Sequence, residues 1–305
     1  MLRSNRREFI RSILGGAAGL TISYSLHGQT RSPTPITAKK LTERIVAVSG
    51  VGGNVGLVID RNRLLMIDGG LSDRASDLAG FIAQISPDPV EVLFNTHYHF
   101  DHVGSNEYLG KSRCRIVAHA NVKQRLGVTF ENPAMGRTMS ALSTDGLPTE
   151  IFGASGKLTF GAETLEYEHV PNAHTDGDAF VFFSSANVLH TGDLLWVGRY
   201  PVIDYTVGGS LGKMALALER LDKIGDDRSQ IIPGHGPVVG KTELRQIREM
   251  WLEINQRLEN HARAGRSLSE VLASGPTKDF DGQPGLQNPA DFIRQAYGGL
   301  LRSDR

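Results

Sequence analysis

The stretch Asn95-Thr-His-Tyr-His-Phe-Asp-His-Val-Gly-Ser-Asn106 decides how this chain folds and what it holds. It packs His97, His99, Asp101 and His102 into six residues, all of them groups that bind divalent metal ions. The run before it, Val90-Glu-Val-Leu-Phe94, is apolar and β-prone and predicts a buried strand. The histidines therefore leave a strand end and enter a loop. Gly104, Ser105 and Asn106 then lead into a short helix, with Ser105 read as its cap. His97 and His99 are two apart, so in extended backbone both imidazoles leave from the same side and can grip one cation. Asp101 and His102 are adjacent, and one local bend turns both toward a second position. Imidazole and carboxylate suit zinc, and also iron or manganese. Ten histidines occur in 305 residues and three fall in this loop, so four unrelated polar residues sharing it by chance is a poor account.

Around this centre the composition is that of an ordinary globular chain, 40% hydrophobic and 22% charged, with zero formal net charge. No basic stripe follows the N-terminus, which argues against a nucleic-acid partner. The start is different. Ser4-Asn-Arg6-Arg7-Glu-Phe9-Ile10 has the twin-arginine shape, and an apolar Gly- and Ala-rich run follows it. Residues 1–30 are therefore expected to be a twin-arginine export signal that sends the protein to the periplasm. Arg11, Ser12, Ser23 and Ser25 break the apolar run, so no stable membrane insertion is expected after processing. Residues 31–42 read as a flexible lead-in, 43–265 as the main domain, and 266–305 as a helical tail packed on it. Cys114 is the single cysteine and lies in the strand-like Cys114-Arg-Ile-Val-Ala118, where a buried structural thiol is expected.

Strands are expected near residues 43–49, and at 55–60 and 64–68 as a hairpin turning at Arg61-Asn62. Asp68 closes that hairpin either as a residue orienting a ligand histidine or as a turn residue. Residues 71–85 carry a helical period with Leu78, Phe81, Ile82 and Ile85 on one face. Residues 127–156 show no clear period and are expected to coil over the site. Further strands are expected at 157–160, 164–169, 179–183 and 188–190, and helices at 212–224, 242–264 and 289–302. The turn at residues 52–54 is a candidate flap.

Three further residues repeat the pattern of the first loop. His174 in Val170-Pro-Asn-Ala-His-Thr-Asp-Gly-Asp178, Asp193 in His190-Thr-Gly-Asp193 and His235 in Ile232-Pro-Gly-His-Gly236 each follow a strand, beside Gly or Pro. Loops at strand ends converge in layered α/β folds. The expected set is His97, His99 and His174 for one ion and Asp101, His102 and His235 for another, with Asp193 bridging. Seven ligands match what two zinc ions need if a shared water or hydroxide completes them.

These residues, in this order and rough spacing, resemble the metallo-β-lactamase-fold hydrolase superfamily over about residues 43–265. The resemblance implies a four-layer αβ/βα sandwich of two mixed β-sheets with the site at one sheet edge. It further implies zinc-dependent hydrolysis of a small-molecule ester, thioester, lactone or β-lactam, with Asp101 holding the metal-bridging hydroxide in place. Departures bear on substrate. The best-known zinc β-lactamases carry Cys where this chain has Asp193, and Lys where it has Trp196. Asp193 resembles the glyoxalase II and lactonase branches, yet lactonases tend to place Tyr at the Trp196 position and glyoxalase II a His at that of Asp178. The chain is most similar to exported members outside the well-known branches. Trp196 and Tyr200 are candidate substrate contacts. The alternatives are a β-lactamase proper, a non-catalytic periplasmic metal- or ligand-binding protein, and a mononuclear-iron persulfide dioxygenase relative.

Overall fold

The structure is a computed structural model that describes residues 34–282, 286 and 288–303. The twin-arginine stretch lies outside the described residues. Strands β1 (Thr37–Lys40), β2 (Ile45–Ser49), β3 (Val55–Asp60), β4 (Arg63–Ile67), β5 (Val90–Asn95) and β6 (Arg115–His119) run in order across a first sheet. A separate hairpin, β7 (Phe130–Asn132) and β8 (Arg137–Met139), precedes β9 (Glu150–Phe152), which closes that sheet beside β6. The second sheet is β10 (Ser155–Phe160), β11 (Glu163–His169), β12 (Ala179–Phe183), β13 (Val188–His190) and β14 (Gln230–Ile232), also in order. Both sheets are mixed. The first is antiparallel through β4 and parallel from β4 to β9. In the second, only the β13–β14 pair is parallel.

Side-chain alternation assigns each strand face to a layer. Ile45, Ala47, Val58, Leu65, Ile67, Val92 and Phe94 point from the first sheet toward Leu165, Tyr167, Val181, Phe183 and Ile232 of the second, forming one cluster between the sheets. Their neighbours Val46, Val48, Leu57, Leu64, Met66 and Leu93 face the other way and pack on Leu78 and Ile82 of α1 (Ala75–Ile85). The short helices α2 (Asn106–Gly110) and α3 (Ala120–Leu126) follow β5 and β6. On the far side, Phe180, Leu189 and Ile231 meet α4 (Leu211–Leu221), α5 (Lys241–Arg263), α6 (Leu268–Ser274) and α7 (Pro289–Ser303) in the third cluster. The result is the expected four-layer αβ/βα sandwich.

Two expectations are corrected. Residues 37–40, taken as part of a flexible lead-in, pair antiparallel with β2 as an edge strand. All four are exposed, so TAKK carries no apolar alternation by which a strand could be read. The region 127–156, which shows no period, holds the β7–β8 hairpin and the edge strand β9. Each is three residues long, too short to display a period.

Candidate metal centre

The loops after β5, β11, β13 and β14 meet at one end of the two sheets, and each is held by its own small device. After β11, Asp178 folds the turn by accepting the backbone N–H groups of His174 at 2.6 Å and Thr175 at 2.8 Å. Burial pushes its carboxyl up to about 6. After β13, Gly192 turns the chain with φ +50° into a short 3-10 turn that carries Asp193. After β14, Gly234 passes so close that a Cβ there would lie 1.9 Å from Asp193 Oδ1. Only glycine lets this backbone approach the carboxylate. The turn at residues 52–54 is tied down rather than a free flap: Asn54 Nδ2 donates to the carbonyls of Pro233 at 2.9 Å and Gly236 at 2.8 Å. Ser105 likewise makes no helix-cap bond, because its hydroxyl donates to the Gly69 carbonyl at 2.5 Å.

The seven residues expected to meet do meet. Asp193 Oδ2 lies 3.2 Å from His174 Nε2 and 3.6 Å from His97 Nε2. Its other oxygen, Oδ1, lies 3.1 Å from His102 Nε2 and 3.5 Å from His235 Nε2. Asp101 Oδ2 stands 3.3 Å from His235 Nε2, and His99 Nδ1 stands 2.9 Å from His174 Nε2. Two ligands on one tetrahedral ion at 2.0–2.1 Å are separated by about 3.3–3.4 Å. Among the described residues, acids and histidines gather closely enough to hold a metal as His97-His99-His174-Asp193, as Asp101-His102-His235 and as Asp68-His97-His102. The first two share the Asp193 carboxylate between them; in the third, Asp68 is already engaged behind the ring of His102.

The donor set fits a cation better than a hydrogen-bond network. His97 Nε2 is buried without a hydrogen-bond partner, and Asp193 Oδ1 makes no aligned bond despite two imidazoles beside it. A buried polar atom left so costs about 1–3 kcal/mol, which coordination removes. The site is therefore suited to divalent metal ions.

Four of the five rings are also held from behind. Thr96 Oγ1 lies 3.0 Å from His97 Nδ1, and the Val202 carbonyl lies 2.8 Å from His174 Nδ1. Asp204 Oδ2 lies 3.1 Å from His99 Nε2, so His99 presents Nδ1 where the others present Nε2. Asp68 resolves as an orienting residue: its carboxylate stands 2.8 Å from His102 Nδ1 and accepts the Thr96 N–H at 2.8 Å and hydroxyl at 2.7 Å. An acceptor on one ring nitrogen fixes the tautomer and frees the other nitrogen's lone pair for metal. Asp204 is the residue that sequence reasoning missed. It also accepts the Tyr98 hydroxyl and, at 2.7 Å, Asn132 Nδ2. No spacing signal marks it.

Burial pushes the His97 and His99 rings below the ordinary imidazole value, with a charged His102 adding to it at His97. Burial opposes charge on the other three rings as well, but the surrounding acceptors together outweigh it, Asp193 foremost, with Asp101 and Asp68 at His102, Asp178 and the Val202 carbonyl at His174, and Asp101 at His235. His102 is raised well above the ordinary value, His174 to about 8, and His235 upward. Asp101 is lowered to about 2, because His102 and His235 overcome the effect of burial.

Trp196 is buried, with its ring 4.0 Å from that of His235. Tyr200 stacks on Phe292, 4.6 Å between centroids, and its hydroxyl donates to Asp281 at 2.8 Å. It lines a cleft of about 510 Å³ with Arg199, Val202, Asp291 and Gln295. Cys114 is buried in the α1-side cluster, which pushes its thiol up to about 12.

Residues 48–235 match the family model of the Metallo-beta-lactamase superfamily, and the chain belongs to that superfamily. Its fold is similar to that of a metallo-beta-lactamase from Pontibacter korlensis (TM-score 0.59, 18% identity, covering 72% of this chain and 99% of that one). It is also similar to the DIM-1 metallo-beta-lactamase (TM-score 0.54, 18% identity, 72% of this chain and 98% of that one). A third relative in fold is the sec-alkylsulfatase Pisa1 from Pseudomonas sp. (TM-score 0.63, 15% identity, 88% of this chain). This chain spans about half of the sulfatase, 50% of its length.

Proposed function

We propose that this chain is a dinuclear metal-dependent hydrolase, with zinc as its metal, that cleaves an ester, thioester, lactone or β-lactam bond. One observation carries the reading: the two oxygens of Asp193 face two different sets of imidazoles, as a carboxylate shared by two cations must. His97, His99 and His174 would hold one ion and Asp101, His102 and His235 the other. Two such ions supply Lewis acidity toward a carbonyl and lower the pKa of a coordinated water to about 7.

The chain's own residues do the rest. The Asp101 side chain is 18% exposed, against 7% or less for His102, Asp193 and His235, so water and substrate reach the site beside it. Its carboxyl, held at about 2, stays ionised and accepts a hydrogen bond from the attacking water. That fixes the water's orientation toward the carbonyl. Trp196, its ring tilted by 37° against that of His235, supplies an apolar wall that excludes bulk water on that side. The twin-arginine pattern at Ser4–Ile10 supports a periplasmic location, which fractionation of cells expressing an Arg6→Lys, Arg7→Lys pair tests by loss of export.

The experiment is metal analysis of the purified protein together with turnover of nitrocefin, a thioester, a lactone and a simple ester. Two metal ions with turnover of one of these bond types supports the proposal. Two ions without turnover of any of them marks a binding protein and contradicts it.

A further inference from the structure

The segment 202–204 is in contact with two of the ligand histidines, His99 and His174. The carbonyl of Val202 accepts from His174 Nδ1 at 2.8 Å, and the N–H of the same peptide unit, that of Ile203, donates to Gln295 Oε1 at 3.1 Å. Asp204 N donates back to the His174 carbonyl at 3.1 Å, and the Asp204 carboxylate holds His99. Gln295 sits on α7, beyond the residues 48–235 that match the family. Its other end reaches across the cleft: Nε2 donates to the Ala134 carbonyl at 2.7 Å, at the tip of the β7–β8 hairpin. From that hairpin Asn132 donates to Asp204 Oδ2. Both partners of Gln295 are backbone atoms, one a donor and one an acceptor, so the orientation of its amide is fixed.

We propose that Gln295 is a positioning residue for the His97-His99-His174 metal nest, acting through the Val202–Ile203 peptide on His174. This rests on the metal reading above. The relay runs from the Gln295 carbonyl oxygen to the Ile203 N–H, through the peptide to the Val202 oxygen, and on to the His174 ring N–H. Hydrogen bonds in series polarise one another, so accepting at Ile203 strengthens the Val202 carbonyl as an acceptor. That keeps His174 in the tautomer whose Nε2 lone pair faces the ion. The side chain is half-buried, and Ile203, whose N–H it holds, is fully buried, so water replaces it poorly.

The test is Co²⁺ titration, read by the visible absorption of the bound ion, in an Asp101→Ala, His235→Ala background, which leaves the second position only His102 beside the shared Asp193. Gln295→Met keeps the length of the side chain and removes both hydrogen bonds. It is expected to weaken Co²⁺ binding by roughly 10-fold, the low end for partners that orient a ligand. Gln295→Glu keeps the acceptor for Ile203 N–H and loses the bond to Ala134, and is expected to bind Co²⁺ as the parent does. Unchanged binding in Gln295→Met overturns the inference. Equal weakening by both substitutions assigns the effect to the lost bond to Ala134 and overturns it as well. If the wild-type chain takes up no Co²⁺ at all, the metal reading falls and this inference with it. Two Co²⁺ bound alike by wild type and Gln295→Met sinks the inference alone.

Discussion

The two halves of the metal centre share one carboxylate and differ in almost everything else. In the His97-His99-His174 half, the three rings are 2% exposed or less, and each has a fixed acceptor behind it in Thr96, Asp204 and Val202. In the other half, only His102 has such a backing carboxylate, Asp68, while Asp101 and His235 reach the surface at 18% and 7%. A ligand whose ring is held before the ion arrives loses less entropy on binding. The first half is thus built to retain its ion, and the second to present one to water and substrate.

The largest effect is expected from removing what the halves share. Asp193→Ala should cost both ions and lower hydrolysis by on the order of 10³-fold, the several kcal/mol that metal polarisation of a carbonyl supplies. Metal analysis beside turnover reads this, and a variant that keeps both ions contradicts the bridge. Next come the two backing carboxylates. Asp204→Asn should weaken binding in the first half by roughly 10–100-fold and spare the second, and Asp68→Asn should do the reverse. Separate Zn²⁺ titrations of the two variants check the contrast; the same half weakened in both would erase it.

Proton competition sharpens the comparison further. The folded-state pKa of His174 is raised to about 8 by Asp193 against the effect of burial, so its contribution to stability is complete below about pH 6.5 and is lost as pH rises through 8. Metal binding needs the neutral ring and runs the other way. The metal-free protein should therefore lose thermal stability from pH 6.5 to 8 while its affinity for Zn²⁺ grows. Melting curves and titrations over that window test both signs. The smallest effect on the centre is expected far from it, at Lys241. Its buried ammonium donates to the carbonyls of Leu221, Asp222 and Ile224, which end α4. Lys241→Met should destabilise the fold by about 1–3 kcal/mol in denaturant unfolding and leave both halves' metal affinities unchanged.

The ligands were legible because metal chemistry demands a narrow set of side chains, and the topology brings strand-end loops together. His97 and His99 advertise themselves by spacing, and His174, Asp193 and His235 by sitting beside Gly or Pro after a strand. The residues that aim those ligands carry no such mark. Asp204 sits in a turn and Asn132 at the end of β7, and their neighbours, Tyr205 and Pro133, do not differ from those of any surface loop. Gln295 lies 60 residues beyond the last ligand, His235. The layers were readable where a strand is an unbroken apolar run buried on both faces, as in Ile45-Val-Ala-Val48, and unreadable where three-residue strands or the fully exposed β1 offer no period.

The most direct test is a crystal of the zinc-loaded protein, with anomalous scattering measured at the zinc edge. Two peaks roughly 3.5–4 Å apart, one on either side of the Asp193 carboxylate, are predicted. One peak alone, or a pair that leaves Asp193 outside the coordination of either ion, contradicts the account.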